Sequence, residues 1–357
     1  MLRIGMLTSG GDCQALNATM RGVVKGLSHN IKDLEVYGFE DGYKGLIYGE
    51  YRLLTSSDFS GILTKGGTIL GTSRQPFKMM RVPDENGLDK VEAMKQTYYK
   101  LRLNCLVILG GNGTQKTANL LREEGLNIIH LPKTIDNDIF GTDVTFGFQS
   151  AIDIATSAID CVHTTAASHN RVFIVEIMGH KVGWLTLYAG IAGGADIILI
   201  PEIPYDIDKV VDAIRARTVN GKGFTILAVA EGAISKEDAQ MSKKDLKKKA
   251  EQHVYPSVSY EIAARIEEAL GTEVRVTVPG HTQRGGSPDP YDRVLCTRIG
   301  SAAAQAIMDG DYGNMIGMVN GNPKRIPLAE CAGKLKLVDP ECDTIKDAKR
   351  IGLSFGD

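Results

Sequence analysis

Short apolar, β-rich runs recur along the chain, at residues 4–7, 34–39, 105–109, 127–131, 172–177, 197–200, 224–230, 274–278 and 315–319. Most are followed by a glycine-containing turn and a longer stretch compatible with helix. Runs that are apolar at every position, such as Leu106-Val107-Ile108-Leu109 and Ile197-Ile198-Leu199-Ile200, suit strands buried on both faces of a parallel sheet. Helical periodicity is clearest over 260–270 and 302–308. Alternating strand and helix predicts a doubly wound α/β fold. Each half has this layout, so two α/β domains sharing a cleft are expected.

The 357 residues fit about two domains. Apolar residues at 43% and charged residues at 24% exclude a disordered chain and leave enough for a sizeable core. Forty glycines without a collagen-like period predict places where backbone must approach backbone or ligand. Forty-one basic against 43 acidic side chains give a net charge of −2, with no global attraction to nucleic acid or an anionic membrane. Any bound anion must be gripped locally. No apolar run approaches the roughly 18–20 residues of a membrane span. The start of the chain turns polar and glycine-rich by residue 8, unlike a signal peptide. Six cysteines without CxxC spacing argue against a zinc site or disulfide framework and for a reducing cytoplasm. The charged stretch 236–252 is expected to be a solvated helix or hairpin.

Three glycine-rich turns are expected to follow apolar strands: Thr8–Asp12, Gly66–Arg74 and Leu109–Thr114, the last leading into a helix starting near Gln115. Such a turn lets backbone N–H groups converge on an anion at the positive end of a helix. Two familiar phosphate motifs fail here. Gln115 stands where a Walker A loop needs glycine before Lys-Thr, and Lys116 occupies the last glycine position of a dinucleotide fingerprint.

Asp136 and Asp138 follow the strand Ile128-Ile129-His130-Leu131. Two apart in extended geometry, they would share a face and could hold a metal ion and deprotonate a hydroxyl. An Asx-turn or helix cap is the other reading of Asp-Asn-Asp. The second half supplies Arg171, Met178-Gly179-His180, Glu231, Arg275, and His281 to Gly286 around strand ends. Clustered Arg and His suit a phosphorylated sugar, with a Glu for its hydroxyls.

The motifs TSGGD, GGTILGTSR, GGNGT, PKTIDND, SHNRVFIVEIMG, GGAD and PGHTQRGGSP, in this order and spacing, resemble the 6-phosphofructokinase family over roughly residues 1–330. The resemblance implies two Rossmann-like, doubly wound parallel-sheet domains with the active site in the cleft between them. Residues 1–147 plus 283–330 would bind nucleotide, and 148–282 plus 331–357 the sugar phosphate. It implies a cytoplasmic glycolytic kinase, Mg²⁺, ATP (or pyrophosphate) and fructose 6-phosphate as partners, and a homodimer or homotetramer. Asp136 matches the general base for the sugar 1-hydroxyl, with Thr134 and Asp138 beside it. Gly10, Arg74, Gln75, Gly111, Asn112, Gly113 and Thr114 match the nucleotide-phosphate site, Arg74 stabilising the transferring phosphoryl group. Asn112 and Asp138 match the metal positions. Thr134, Asp136, Met178, Gly179, His180, Glu231, His281 and Arg284 match substrate contacts. Arg171 and Arg275 match positions that complete a neighbouring subunit's site.

The chain departs from the family at several of these positions. Asn112 replaces the usual acid and loses a charge toward metal. Gly113 resembles ATP users and Lys133 pyrophosphate users; the pair resembles the mixed group, for which ATP is favoured. His180 stands where many relatives carry Arg. The alternatives are a pyrophosphate-dependent enzyme, a non-catalytic regulatory subunit of the same fold, and another ketose phosphate as acceptor.

Overall fold

The runs that are apolar at every position become central strands because both of their faces are covered. The structure, a computed structural model, describes residues 1–251 and 254–357. Among these are eleven strands: β1 (Leu2–Ser9), β2 (Leu34–Phe39), β3 (Tyr51–Leu54), β4 (Cys105–Gly110), β5 (Ile128–Pro132), β6 (Val172–Ile177), β7 (Ile197–Leu199), β8 (Thr225–Ala230), β9 (Val274–Thr277), β10 (Asn314–Val319) and β11 (Asn322–Pro327). All residues of β4, β5, β6 and β8 are buried.

The chain forms two compact units, Met1–Ala151 with Arg284–Lys336, and Ile152–Gln283 with Leu337–Asp357. In the first, seven strands lie in the order β11-β10-β5-β4-β1-β2-β3. Its five central strands are parallel, and β3 and β11 close the edges antiparallel to β2 and β10. In the second, four parallel strands lie in the order β7-β8-β6-β9. Residues 331–336, expected in the second domain, fall in the first unit, where the Lys336 N–H donates to the Asp138 carbonyl at 2.9 Å.

The apolar pattern missed β3 and β11. Both are short edge strands with exposed positions interspersed, and neither carries a continuous apolar run. The charged stretch contains two short helices, Lys236–Ala239 and Lys243–Glu251; its last residue, Gln252, lies outside the described residues.

In the first unit, the helix Leu16–Asn30 follows the first glycine turn and packs along Pro290–Met308 at backbone distance. A Cβ on Gly22 would lie 2.8 Å from the Cys296 carbonyl oxygen, and one on Gly300 2.6 Å from the Gly22 carbonyl carbon. Glycine is therefore required at that crossing.

Asp292 on the same long helix fixes the start of Phe148–His169. Its Oδ1 accepts the Gly147 N–H at 3.0 Å, and its Oδ2 accepts the Ser150 N–H at 3.0 Å and the Ser150 hydroxyl at 2.6 Å. Burial nevertheless dominates and raises its pKa to about 6. A carboxyl whose folded pKa exceeds its unfolded one stabilises most when protonated, so that contribution is lost as pH rises through about 6. Asp292→Asn has no such titration. The stability advantage of wild type over Asp292→Asn should therefore shrink by up to about 3 kcal/mol between pH 4 and 7. Urea unfolding across that range measures it; a constant gap contradicts the assignment.

Candidate active site

The seven-stranded sheet reverses its chain order between β1 and β4, which run parallel from Ile4↔Cys105 to Ser9↔Gly110. Ligands of open α/β sheets bind beyond the carboxyl ends of strands at such a reversal. Two of the glycine turns leave the sheet there. Gly10 has φ +89° and donates its N–H to the Ser73 carbonyl at 3.1 Å, while the Thr72 hydroxyl donates to the Gly10 carbonyl at 2.7 Å. These bonds bring in the turn Gly66–Arg74, which follows a 3-10 helix (Ile62–Thr64) rather than the expected strand. Arg74 at its end is exposed and Gln75 half-buried.

The helix after β4 begins at Asn112, earlier than expected, so Asn112, Gly113 and Thr114 form its first turn with Gly111 as cap. Backbone N–H groups in a first helical turn have no partner within the helix and carry the positive end of its dipole. Thr114 is held by its hydroxyl to the Ser9 carbonyl at 3.2 Å, and its own carbonyl accepts from Tyr43 Oη at 2.8 Å. Gly113 is exposed, and a Cβ there would meet nothing within 4 Å.

Two cations grip the first turn. Lys133 Nζ hydrogen-bonds the Gly11 carbonyl, and Arg284 Nη1 donates to the Asp12 carbonyl at 3.1 Å. Burial pushes the Lys133 ammonium below its usual range. Arg284, expected among the sugar-phosphate contacts, thus lies against this glycine turn in the first unit.

The two carboxylates do not share a face by extended geometry, because Asn137 between them has φ +53°. The Thr134 hydroxyl accepts the Asp136 N–H at 3.0 Å, and Asn137 Oδ1 accepts the Thr145 N–H at 3.0 Å. The loop is a hydrogen-bonded turn that still brings the two acids near each other. Burial first, and then the negative charge of Asp136, raise the Asp138 pKa to about 6. Asp138 Oδ1 is buried with no hydrogen-bond partner, an oxygen that a cation would satisfy. Among the described residues no group of three or more His, Cys, Asp or Glu could hold a metal ion. The Asn112 Nδ2 donates to the Lys334 carbonyl at 2.9 Å, which leaves its Oδ1 as the acceptor of that side chain.

In the second unit, a small cavity of about 80 Å³ is lined by Met178, Glu231, His281 and Gln283, among others. The Met178 N–H donates to Gln283 Oε1 at 3.1 Å and the Gly179 N–H to Glu231 Oε1 at 3.4 Å. Met178, Gly179, Glu231 and His281 are brought together. His180 is exposed and does not line the cavity. Arg171 lies at the other, amino end of β6, away from that group. It pairs with Glu273 at 2.8 Å, and Arg275 on the edge strand β9 pairs with the same carboxylate. Gln283 was overlooked in the sequence. It is fully buried within His-Thr-Gln-Arg, where the charged neighbours drew attention and a buried amide left no signal.

The family model described as Phosphofructokinase matches residues 3–307. The chain is 56% identical to the ATP-dependent 6-phosphofructokinase of Spirochaeta thermophila, covering 99% of this chain and 97% of that protein. It is 46% identical to the ATP-dependent 6-phosphofructokinase 3 of Bacteroides thetaiotaomicron, covering 99% of this chain and 100% of that one. Among solved structures, phosphofructokinase from Pichia pastoris in the T-state aligns with TM-score 0.81 at 32% identity, over 93% of this chain and 35% of the yeast chain. The pyrophosphate-dependent phosphofructokinase of Marinobacter aquaeolei aligns with TM-score 0.79 over 99% of this chain and 92% of that chain. At 21% identity it shows the shared fold alone.

Replacing Gln283 by Ala removes the acceptor of the half-buried Met178 N–H and the buried amide itself, and should destabilise the second unit by about 1–3 kcal/mol. Chemical denaturation measures this; a loss under a few tenths of a kcal/mol would mean the amide is dispensable to the turn.

Proposed function

The chain belongs to the phosphofructokinase family, and from that membership we propose that it transfers the γ-phosphoryl group of ATP to O1 of D-fructose 6-phosphate. The products are fructose 1,6-bisphosphate and ADP, and the reaction is a step of glycolysis. Full-length similarity to ATP-dependent 6-phosphofructokinases, at 56% identity in Spirochaeta thermophila, carries the reading of donor and acceptor. A cytoplasmic location follows from the same reading.

The residue roles are proposed from the geometry. The N–H groups of Gly111, Asn112, Gly113 and Thr114 hold donor phosphates at the strand reversal, beside the turn at Gly10 that Lys133 fixes through the Gly11 carbonyl. Arg74 and Gln75 extend from the stitched turn toward the same phosphates, the guanidinium balancing charge that develops on the transferring group. Asp136 takes the proton from the sugar 1-hydroxyl, and Thr134 holds the Asp136 backbone in place. The orphaned Asp138 oxygen and the free oxygen of Asn112 fit a hard divalent cation, so Asp138 and Asn112 would hold Mg²⁺. Bound there, Mg²⁺ supplies charge neutralisation on the phosphate oxygens.

In the second unit, the Met178–Gly179 turn, Glu231 and His281 recognise the sugar, Glu231 offering its remaining oxygen to a hydroxyl. His180 and Arg284 are carried as further sugar-phosphate contacts. Arg171 and Arg275, both paired with Glu273, form a cluster of net positive charge from which the two guanidinium groups would turn to a phosphate. We assign them to a neighbouring subunit's substrate in a homodimer or homotetramer.

Initial rates with fructose 6-phosphate and Mg²⁺ should appear with ATP and not with pyrophosphate; the reverse would withdraw the nucleotide assignments. Asp136→Asn should lower kcat by roughly 10²–10⁴, and unchanged turnover would remove its role as base. Gly113→Asp has open space and should keep the melting temperature of wild type. Its carboxylate should nevertheless raise the KM for ATP by at least about tenfold, worth about 1.4 kcal/mol. An unaltered KM would exclude Gly113 from donor choice.

A further inference from the structure

The segment Gly333–Lys336 lies outside the part of the chain matched by the family model, yet it touches both residues assigned above to the cation. Its Lys334 carbonyl accepts from Asn112 Nδ2 at 2.9 Å. Leu335 forms an antiparallel bridge with Ile139, and the Lys336 N–H donates to the Asp138 carbonyl at 2.9 Å. The Lys336 ammonium then spends all three of its protons on the loop around Asp138. It donates to Asn137 Oδ1 at 2.9 Å, to the Thr142 carbonyl at 2.9 Å and to the Asp143 carbonyl at 2.8 Å.

These bonds fall where the loop needs support. Asn137 is a non-glycine residue with φ +53°, a conformation that persists only when its surroundings over-determine it. That conformation sets how Asp136 and Asp138 project from the backbone. The Asn137 side chain is held from two directions, by the Thr145 N–H at 3.0 Å and by Lys336 Nζ. The same segment explains Asn112. An amide can donate to the Lys334 carbonyl, whereas a carboxylate would face that carbonyl with a second acceptor and repel it. The amide at position 112 is therefore matched to a strap that no carboxylate could anchor.

We propose that Gly333–Lys336 is a strap that sets Asn112 relative to Asp138, and that Lys336 is a positioning residue for phosphoryl transfer. The inference rests on the function proposed above. Lys336 acts by holding the Asn137–Asp143 loop. Groups that orient metal ligands typically carry 10–100-fold in affinity or rate.

The test uses the full chain with Lys336→Met, which keeps an unbranched side chain but loses the ammonium, and the milder Lys336→Gln. Mn²⁺ binding is read by electron paramagnetic resonance in the presence of a non-hydrolysable ATP analogue, alongside steady-state kinetics and melting temperature. Lys336→Met should weaken Mn²⁺ binding and lower kcat, each by about 10-fold or more, with the KM for fructose 6-phosphate within about threefold of wild type. Lys336→Gln should show the same selective loss at smaller size, and carries the test if the Met variant does not fold. Wild-type Mn²⁺ affinity and kcat in a folded variant, even with a lowered melting temperature, would reduce Lys336 to a structural residue and overturn the proposal. Failure of the functional reading looks different: wild type itself would not turn over ATP, while the Mn²⁺ comparison would still decide the strap.

Discussion

The parallel pairing of β1 with β4 is the constraint on which the rest of the first unit depends. It brings Ser9 level with Gly110, so two glycine turns leave the sheet side by side where chain order reverses. The turns are polar and can be so because they stand at strand ends, where backbone donors need not pair within the sheet. Everything else near them is secondary to that register. The Gly66–Arg74 turn reaches the site through hydrogen bonds to Gly10, and Lys133 and Arg284 reach it through the carbonyls of Gly11 and Asp12. A slip of one residue between β1 and β4 would misalign both turns and turn every core side chain of that strand to the opposite face.

Around these turns the protein keeps charge where burial disfavours it. The Lys133 ammonium is lowered by burial, and the Asp138 carboxyl is raised by burial and by its acidic neighbour. Buried groups shifted this way are costly for a fold and are concentrated where a site needs them. The Asp292 carboxyl is raised by burial too, but both of its oxygens are engaged at the start of a helix, by the Gly147 and Ser150 N–H groups and the Ser150 hydroxyl. Asp138, with an unpartnered oxygen, thus contrasts with Asp292, whose two oxygens are both engaged.

Much of this was legible in the sequence. The central strands announced themselves as uninterrupted apolar runs, and the glycine turns by their position after such runs. Edge strands β3 and β11 did not, because short strands with exposed positions interspersed keep no continuous apolar run. The loop at Asp136–Asp138 left extended strand and Asx-turn both open; the positive φ of Asn137 is one that Asn tolerates, and it is held here by Thr145, eight residues on, and by the distant Lys336. Gln283 and Lys336 were invisible. Each acts through one side chain that meets a distant backbone, and neither belongs to a pattern of spacing.

The sequence by itself determined the alternation of strand and helix, the glycine turns and the residue types available for phosphate and hydroxyl chemistry. These depend on local periodicity and on what each side chain can do. The tertiary structure alone decided which turns meet and that Arg284 faces the first glycine turn. It also decided that Arg171 and Arg275 share Glu273, and that a segment near the end of the first unit clasps both Asn112 and Asp138. Those outcomes depend on strand order and register, and contacts between residues more than a hundred positions apart leave no imprint on either one's neighbours in the chain.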